Sequence, residues 1–380
     1  MGTMESTARD SSAPASSSPA QALINWDLAA STAARLASAG PTLKPAEIGE
    51  AVDSLRRLAD ASVPYVHEIT GLEAARDLRD SSVLVVDRAN WAKANTQSFA
   101  VMLKPAMDKM LESRRGNVSP AAASVSGAIT GSQLGAVLAF LSSKVLGQYD
   151  PFAALAEGSK APAGGRLLLV APNIVAVERE LHVPPEDFRL WVCLHEQTHR
   201  VQFAAAPWLR HHMLSEIDNL SGHLLGNVDS LMERASAAAR SLKDRSTTGN
   251  APGRGAILDL LQNPEEKASL SHLTAVMSLL EGHANVVMDA VDASIVPSVR
   301  TIRQRFTDRG KDRGVIEKFI RSLLGLDAKM RQYSDGAKFV RAVVDVTGME
   351  GFNRVWESAD NLPTEPEIHD PKLWVDRMGL

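Results

Sequence analysis

The most informative segment of this chain is residues 190–203, with the sequence LWVCLHEQTHRVQF. They contain the pattern H-E-x-x-H at positions 195–199, and apolar residues flank the pattern on both sides. On an α-helix, residues four positions apart lie about 40° apart on one face, one turn above the other. A helix here therefore presents His195 and His199 side by side on an otherwise apolar surface.

The pattern supplies the parts of a metal-assisted hydrolysis. Two imidazoles in this arrangement can bind one zinc ion, at a typical distance of about 2.0–2.1 Å. Glu196 lies beside that face, where it can take a proton from a zinc-bound water and later deliver it to the leaving group. The alternative is a helix with two hydrogen-bonded core histidines and a solvated glutamate. Histidines on a buried helix need partners, and this pattern favours zinc as the partner.

A catalytic zinc usually takes three protein ligands and leaves one position to water. The metzincin pattern requires glycine at position 202 and histidine at position 205, and this chain has Gln202 and Ala205 there. That class is therefore excluded. His211 and His212 follow closely, but WLRHHM is typical of the start of another helix, which predicts two surface histidines.

The best candidate for the third ligand lies in a second long helix, predicted over about residues 270–291, with the sequence TAVMSLLEGHANVVMDAVD at its centre. Glu281 interrupts an apolar run, and burying a carboxylate is costly unless it is paired or bound to metal. We predict Glu281 as the ligand, which gives a gluzincin-like site. His283 is the alternative, since the two lie about 200° apart around the helix and cannot face one metal. Asn285 could hydrogen-bond a ligand histidine, and Asp289 is either structural or a further support.

Water addition to a carbonyl creates an oxyanion that needs a hydrogen-bond donor. The chain has three tyrosines, at positions 65, 149 and 333. Tyr333, within DAKMRQYSDG, is our candidate donor, although a surface patch accounts for this segment equally well. RLLLV, at residues 166–170, is predicted as a strand. An extended peptide could pair with its edge, or the strand could simply close a sheet.

The composition is that of an ordinary globular protein, with 380 residues of which 44% are hydrophobic. The chain has 41 basic and 45 acidic side chains and a net charge of −4, which gives no reason to expect a nucleic-acid partner or an anionic membrane. No run of 18 apolar residues appears, so we expect no spanning helix. Cys193 is the single cysteine. Its isolation excludes an intramolecular disulfide, predicts a cytoplasmic protein and indicates a small buried residue rather than a nucleophile.

Residues 1–22 are rich in Ser, Ala and Pro and are predicted to be a disordered tail without the features of a secretory signal. Residues 23–380 are predicted to form a single domain with an N-terminal helical portion. The patterns favour a mainly α fold, α+β with a small sheet. Gly127, Gly131 and Gly135 lie four apart and predict a buried, tightly packed helix. Residues 241–266 contain a polar, glycine-containing piece that predicts a loop.

Four segments of the chain resemble a known family: LWVCLHEQTHRVQFAAAPWL, MSLLEGHANVVMDAV, GLDAKMRQYSDGAKFV and VWESADNLPTEPEIHDPKLWVDRM. They are similar to an actinobacterial group of zincin-like hydrolases called zinc-dependent metalloproteases. The resemblance runs from about residue 24 to residue 378 and implies a zincin-like metallopeptidase fold with extra helices. It also implies functional roles at four positions: His195, Glu196, His199 and Glu281. One branch is named for association with deazaflavin-coenzyme biosynthesis, a genomic link that implies no coenzyme binding here.

The sequence therefore predicts a zinc hydrolase, a metallopeptidase in which water activated by Glu196 attacks a peptide or amide carbonyl. Two other functions stay open: a non-catalytic zincin-like scaffold that binds partners, and a hydrolase of small amides. The intact Glu196 argues against the scaffold, because a scaffold needs no acid beside its metal. A narrow covered pocket would favour small substrates, and an open groove would favour chains.

Overall fold

The computed structural model describes residues 23–76, 78–113, 120–156, 158–226, 264–312 and 333–380. The predicted tail lies outside these ranges, as does the predicted loop except for residues 264–266, which begin a helix. Within them, the helices are α1 (Trp26–Leu36), α2 (Pro45–Thr70), α3 (Arg88–Ser113), α4 (Pro120–Ser142), α5 (Ala171–Leu181), α6 (Pro185–Ala205), α7 (Leu209–Gly226), α8 (Pro264–Ala290), α9 (Val299–Asp312), α10 (Tyr333–Asn353), α11 (Glu365–His369) and α12 (Pro371–Met378). The strands are β1 (Ser82–Val86), β2 (Gly147–Asp150) and β3 (Arg166–Val170). The predicted mainly α fold with a small sheet is confirmed.

Helix α6 carries the H-E-x-x-H pattern through the middle of the molecule. It begins at Pro185, where a missing N–H costs nothing, and Glu186 and Asp187 in its first turn face the positive end of the helix dipole. Its apolar residues belong to the main core, and it packs against α2, α5, α8, β2 and β3. The predicted helix is confirmed and ends at Ala205, two residues beyond Phe203.

The sheet has the strand order β1-β3-β2. β1 runs parallel to β3 and β2 runs antiparallel to it, so that Leu84 and Gln148 both lie opposite Leu168. RLLLV is thus the central strand, with both edges occupied and Leu167, Leu168 and Leu169 fully buried. The suggestion that a peptide pairs with the edge of RLLLV is therefore wrong. The edge strand on the side of α6 is β2.

Helices α8 and α10 cross at very short range, and this crossing holds the segment around Glu281. A side chain at Gly282 would overlap the backbone of Gly336, and one at Gly336 would overlap the backbone of Ser278. Glycine at both positions allows the two helix backbones to touch. The position of Glu281 is therefore set by backbone packing rather than by a flexible loop.

Helix α4 packs on α1 through its glycines. The N–H of Asn25 donates to the carbonyl of Gly127 at 3.0 Å, and a Cβ at Gly135 would lie 2.5 Å from the carbonyl oxygen of Ala29. The predicted close helix approach is confirmed.

The opposite face of α4 differs from the prediction of a buried helix, since Val125 and Ile129 are 61% and 54% exposed. Small residues bury only the face that meets α1. The stretch Ser124–Ser142 has the length and mean hydropathy, 1.4, of a membrane-spanning helix. Core helices of soluble proteins can share both properties, so this stretch decides nothing about a membrane.

We expect Gly135→Ala to lower the free energy of unfolding by about 1–3 kcal/mol, because the added methyl group must push α1 away from α4. Gly49→Ala is the matched control. Gly49 lies in α2 with nothing within 4 Å of its added Cβ, and alanine there should stabilise the helix by about 0.5–1 kcal/mol. Urea denaturation of both variants checks this. Equal effects of the two substitutions would contradict the close approach.

Candidate metal centre and active-site cleft

The structure brings together the three side chains predicted as ligands. The Nε2 atom of His195 lies 3.9 Å from one carboxylate oxygen of Glu281, and the Nε2 atom of His199 lies 3.6 Å from the other. The ligand atoms of all three lie within 4.8 Å of one another. The two imidazole planes are nearly perpendicular, with ring centroids 5.0 Å apart. Over the described ranges, no other cluster of His, Cys, Asp and Glu meets this distance criterion.

This donor set fits a zinc ion. Ligand atoms about 2.0–2.1 Å from a tetrahedral zinc lie roughly 3.3 Å from one another, so a small inward movement of these side chains would complete the coordination. Burial, reinforced by His199, lowers the pKa of His195 to about 4, and the nearby Glu281 opposes this only partly. His195 is therefore neutral at physiological pH, which is the form that binds a metal.

Glu196 is buried next to this group. Glu196 is only 7% exposed. Burial, together with the charge of Glu281, raises the pKa of its carboxyl group to about 8. In the described part of the chain, neither glutamate forms an ion pair with a lysine or an arginine. A cation held by the histidines and Glu281 would offset this repulsion and favour the ionised form of Glu196.

The edge strand β2 passes directly over Glu196. A Cβ at Gly147 would lie 2.6 Å from Cγ and 2.7 Å from Cδ of that glutamate, so only glycine leaves room for the carboxyl group. Sequence reasoning did not find Gly147. No local pattern marks it, because its importance comes from a helix almost fifty residues away.

The alternative ligand His283 lies outside the metal group. It is fully buried, its Nδ1 atom is 3.0 Å from Nε2 of Gln202, and its ring packs against Phe352 and Trp356. Burial, and to a lesser degree His199, lowers its pKa to about 3. The geometry therefore favours Glu281 over His283 as the third donor.

The predicted supporting residues have different positions. Asn285 is exposed, lines the cleft beside His195 and makes no hydrogen bond to either motif histidine. Asp289 also lines the cleft, but its carboxylate is paired with Arg341. The side chain of Tyr333 lies outside the described residues, so its predicted role as a donor stays a prediction.

Other candidates have contacts that keep them away from the metal. The hydroxyl of Tyr149 donates to the carbonyl of Gly164. His211 is exposed as predicted, whereas His212 is half-buried, with its Nε2 atom 2.6 Å from Nε2 of His272. Cys193 is fully buried and burial raises the pKa of its thiol, which confirms it as a small core residue.

Two cavities meet at His195 and Glu196. The first, which we call the Trp191 cavity, has a volume of about 450 Å³. Its other lining residues are Leu146, Trp191, Val192, Asn285, Met288, Asp289, Arg303, Phe306 and Thr307. The second, the Phe203 cavity, has a volume of about 360 Å³. Its other lining residues are Gly147, Gln148, Tyr149, Pro151, Phe152, His199, Phe203, Met213, Met277, Leu280 and Glu281. Most of the surface that lines each cavity is apolar.

Comparison with known proteins places the chain in a family. A model of the zincin-like metallopeptidase family matches residues 24–375. A solved structure from Chloroflexus aurantiacus, described as "a putative hydrolase with a novel fold", is 31% identical, with a TM-score of 0.65. The match covers 94% of this chain and 99% of that one. A search of curated proteins gave no match. The family model spans nearly the whole chain, including the segments that carry His195, His199 and Glu281. The protein therefore belongs to the zincin-like metallopeptidase family.

Proposed function

We propose that this protein is a zinc-dependent hydrolase that cleaves peptide or amide bonds, with His195, His199 and Glu281 as the zinc ligands. The observation that carries the proposal is the convergence of these three donors beside a buried Glu196. Family membership supports zinc as the metal and hydrolysis as the reaction. The donor set, two imidazoles and one carboxylate, is one that catalytic zinc uses elsewhere.

Zinc at this site would act as a Lewis acid that polarises the substrate carbonyl and acidifies the attacking water. Glu196 takes a proton from that water as the new carbon–oxygen bond forms. The same carboxyl group then gives the proton to the amide nitrogen as the carbon–nitrogen bond breaks. The close packing of Gly147 limits the rotation of Glu196 and keeps its carboxyl group beside the histidines.

A polypeptide is the substrate class that we propose, with a small amide as the alternative. Leu146, next to the start of β2, lines the Trp191 cavity, while residues 147–149 of that strand line the Phe203 cavity. The edge strand therefore runs between the two cavities and past Glu196. No further strand pairs with β2 in the described ranges, so an extended chain could hydrogen-bond to it and place side chains in both cavities.

We expect the purified full-length protein to contain about one zinc ion per chain. His195→Ala and His199→Ala should lose it. Glu281→Ala should weaken zinc binding by more than the roughly 10–100-fold that loss of a supporting residue costs, because a direct ligand is removed. Metal analysis and competition with a chelator measure these effects.

Asp289→Ala is the matched control for Glu281→Ala. Asp289 is an exposed carboxylate on the same helix, and it pairs with Arg341 rather than with the histidines. Its loss should leave zinc affinity unchanged. Equal effects of the two substitutions, or a wild-type protein that binds no zinc, would rule out the proposed ligand set.

We expect Glu196→Gln to retain zinc and to lower the rate of hydrolysis by about 10²–10⁴-fold, since the amide cannot accept the proton of the attacking water. Zinc content measured on the same sample shows that the centre is intact. Undiminished hydrolysis by this variant would mean that another group is the base.

Two aromatic substitutions test the path of the substrate. Phe306→Ala enlarges the Trp191 cavity, and Phe203→Ala enlarges the Phe203 cavity. On a library of quenched fluorescent peptides, each should change residue preference on one side of the cleaved bond only, by about 10–200-fold between side chains of different size. Each variant controls for the other. Cleavage of small amides alone would favour the small-molecule hydrolase, and zinc binding without cleavage of any substrate would favour the non-catalytic scaffold.

A further inference from the structure

We propose that Gln202 and His283 hold His199 with its Nε2 lone pair directed at the metal site. We call this chain of hydrogen bonds, from His199 through Gln202 to His283, the relay; it positions the ring and transfers no proton. The role of these residues in metal binding rests on the proposed function, but their hydrogen bonds do not depend on catalysis. Gln202 lies three residues after His199 on α6, is fully buried and contacts residues of two helices. The H-E-x-x-H pattern assigns no role to this position.

The hydrogen bonds of Gln202 determine which way its amide group faces. Its Nε2 atom lies 2.9 Å from the carbonyl oxygen of Leu280, which can only accept a hydrogen bond. The NH₂ group must therefore face Leu280, and the amide oxygen must face the other way. That oxygen lies 3.0 Å from Nδ1 of His199.

The orientation of the amide in turn determines the tautomer of His199. An amide oxygen can only accept, so Nδ1 of His199 must carry the proton. In the neutral ring, Nε2 is then the nitrogen without a proton, and it is the atom that lies 3.6 Å from the carboxylate of Glu281. Gln202 thus prepares His199 as a metal ligand before any metal binds.

His283 uses the second hydrogen of the amide. Its Nδ1 atom lies 3.0 Å from Nε2 of Gln202, so it must accept, and the proton of the ring sits on Nε2. In the described part of the chain this Nε2 atom is buried without a partner. The ring stacks on Phe352 at a centroid distance of 5.2 Å, with 26° between the planes.

The relay connects the two helices that carry the proposed ligands. Through Gln202, α6 is bonded to Leu280 and His283 of α8, which lie on either side of Glu281 in sequence. Rotation of the His199 ring, or sliding of α8 along α6, would break at least one of these bonds. Gln202 therefore couples the spacing of the third ligand to the orientation of the second.

Gln202→Met tests the relay, because methionine has a similar length and no amide. We expect zinc affinity to fall by about 10–100-fold. Gln197→Met is the matched control. Gln197 is equally buried on α6, but its amide donates to the carbonyl of Ala59, away from the metal site. The control should lower thermal stability while leaving zinc affinity and the visible spectrum of the cobalt-substituted protein unchanged, whereas Gln202→Met should alter that spectrum.

Nitrogen-15 NMR of the metal-free wild-type protein supplies a readout that needs neither a folded variant nor activity. The relay requires a proton on Nδ1 of His199 and on Nε2 of His283. The opposite tautomer at either ring would overturn the proposal, as would unchanged zinc affinity in folded Gln202→Met. A wild-type protein that binds no zinc would refute the proposed function instead, and the tautomers would still decide the relay.

Discussion

The burial of a polar helix face is the constraint on which the rest of the structure depends. Helix α6 carries Gln197, Arg200 and Gln202 into the core, where each unpaired polar group costs about 1–3 kcal/mol. Gln197 donates to α2, Gln202 donates to α8, and Arg200 donates to the hydroxyl of Ser81, immediately before β1. These bonds tie three separate parts of the chain to the helix that bears the histidines. The hydrogen bonds and the apolar contacts of α6 therefore act together on the position of the helix.

Glu196 differs from these three side chains of α6. It is buried under Gly147 with no basic partner in the described residues, and the second carboxylate, Glu281, adds to the cost of its charge. The fold places the carboxylates of Glu196 and Glu281 beside the imidazoles of His195 and His199, a group of donors that could hold a cation. Stability and the proposed chemistry thus depend on different polar side chains of the same helix. The buried glutamines and Arg200 hold the helix in place, and the proposed function assigns metal binding and proton transfer to His195, Glu196 and His199.

Local sequence was enough to predict the motif helix and the convergence of His195, His199 and Glu281, because each depends on periodicity and on the cost of burying a charge within one segment. The central position of RLLLV was not predictable in this way, since strand order depends on pairing between residues about eighty positions apart. Gly147 and Gln202 were missed for the same reason. A glycine at the start of a strand and a glutamine in a helix are common, and only contacts with distant residues give these two a role. The glycines of α4 predicted a close approach to another helix but not the exposure of the opposite face.

Zinc binding by His195, His199 and Glu281 can be tested by diffraction from crystals of the full-length protein at the zinc absorption edge. We expect one anomalous peak, about 2.0–2.2 Å from Nε2 of His195, Nε2 of His199 and a carboxylate oxygen of Glu281. No peak at that position in crystals grown with zinc, or a peak coordinated by His283 in place of Glu281, would contradict it.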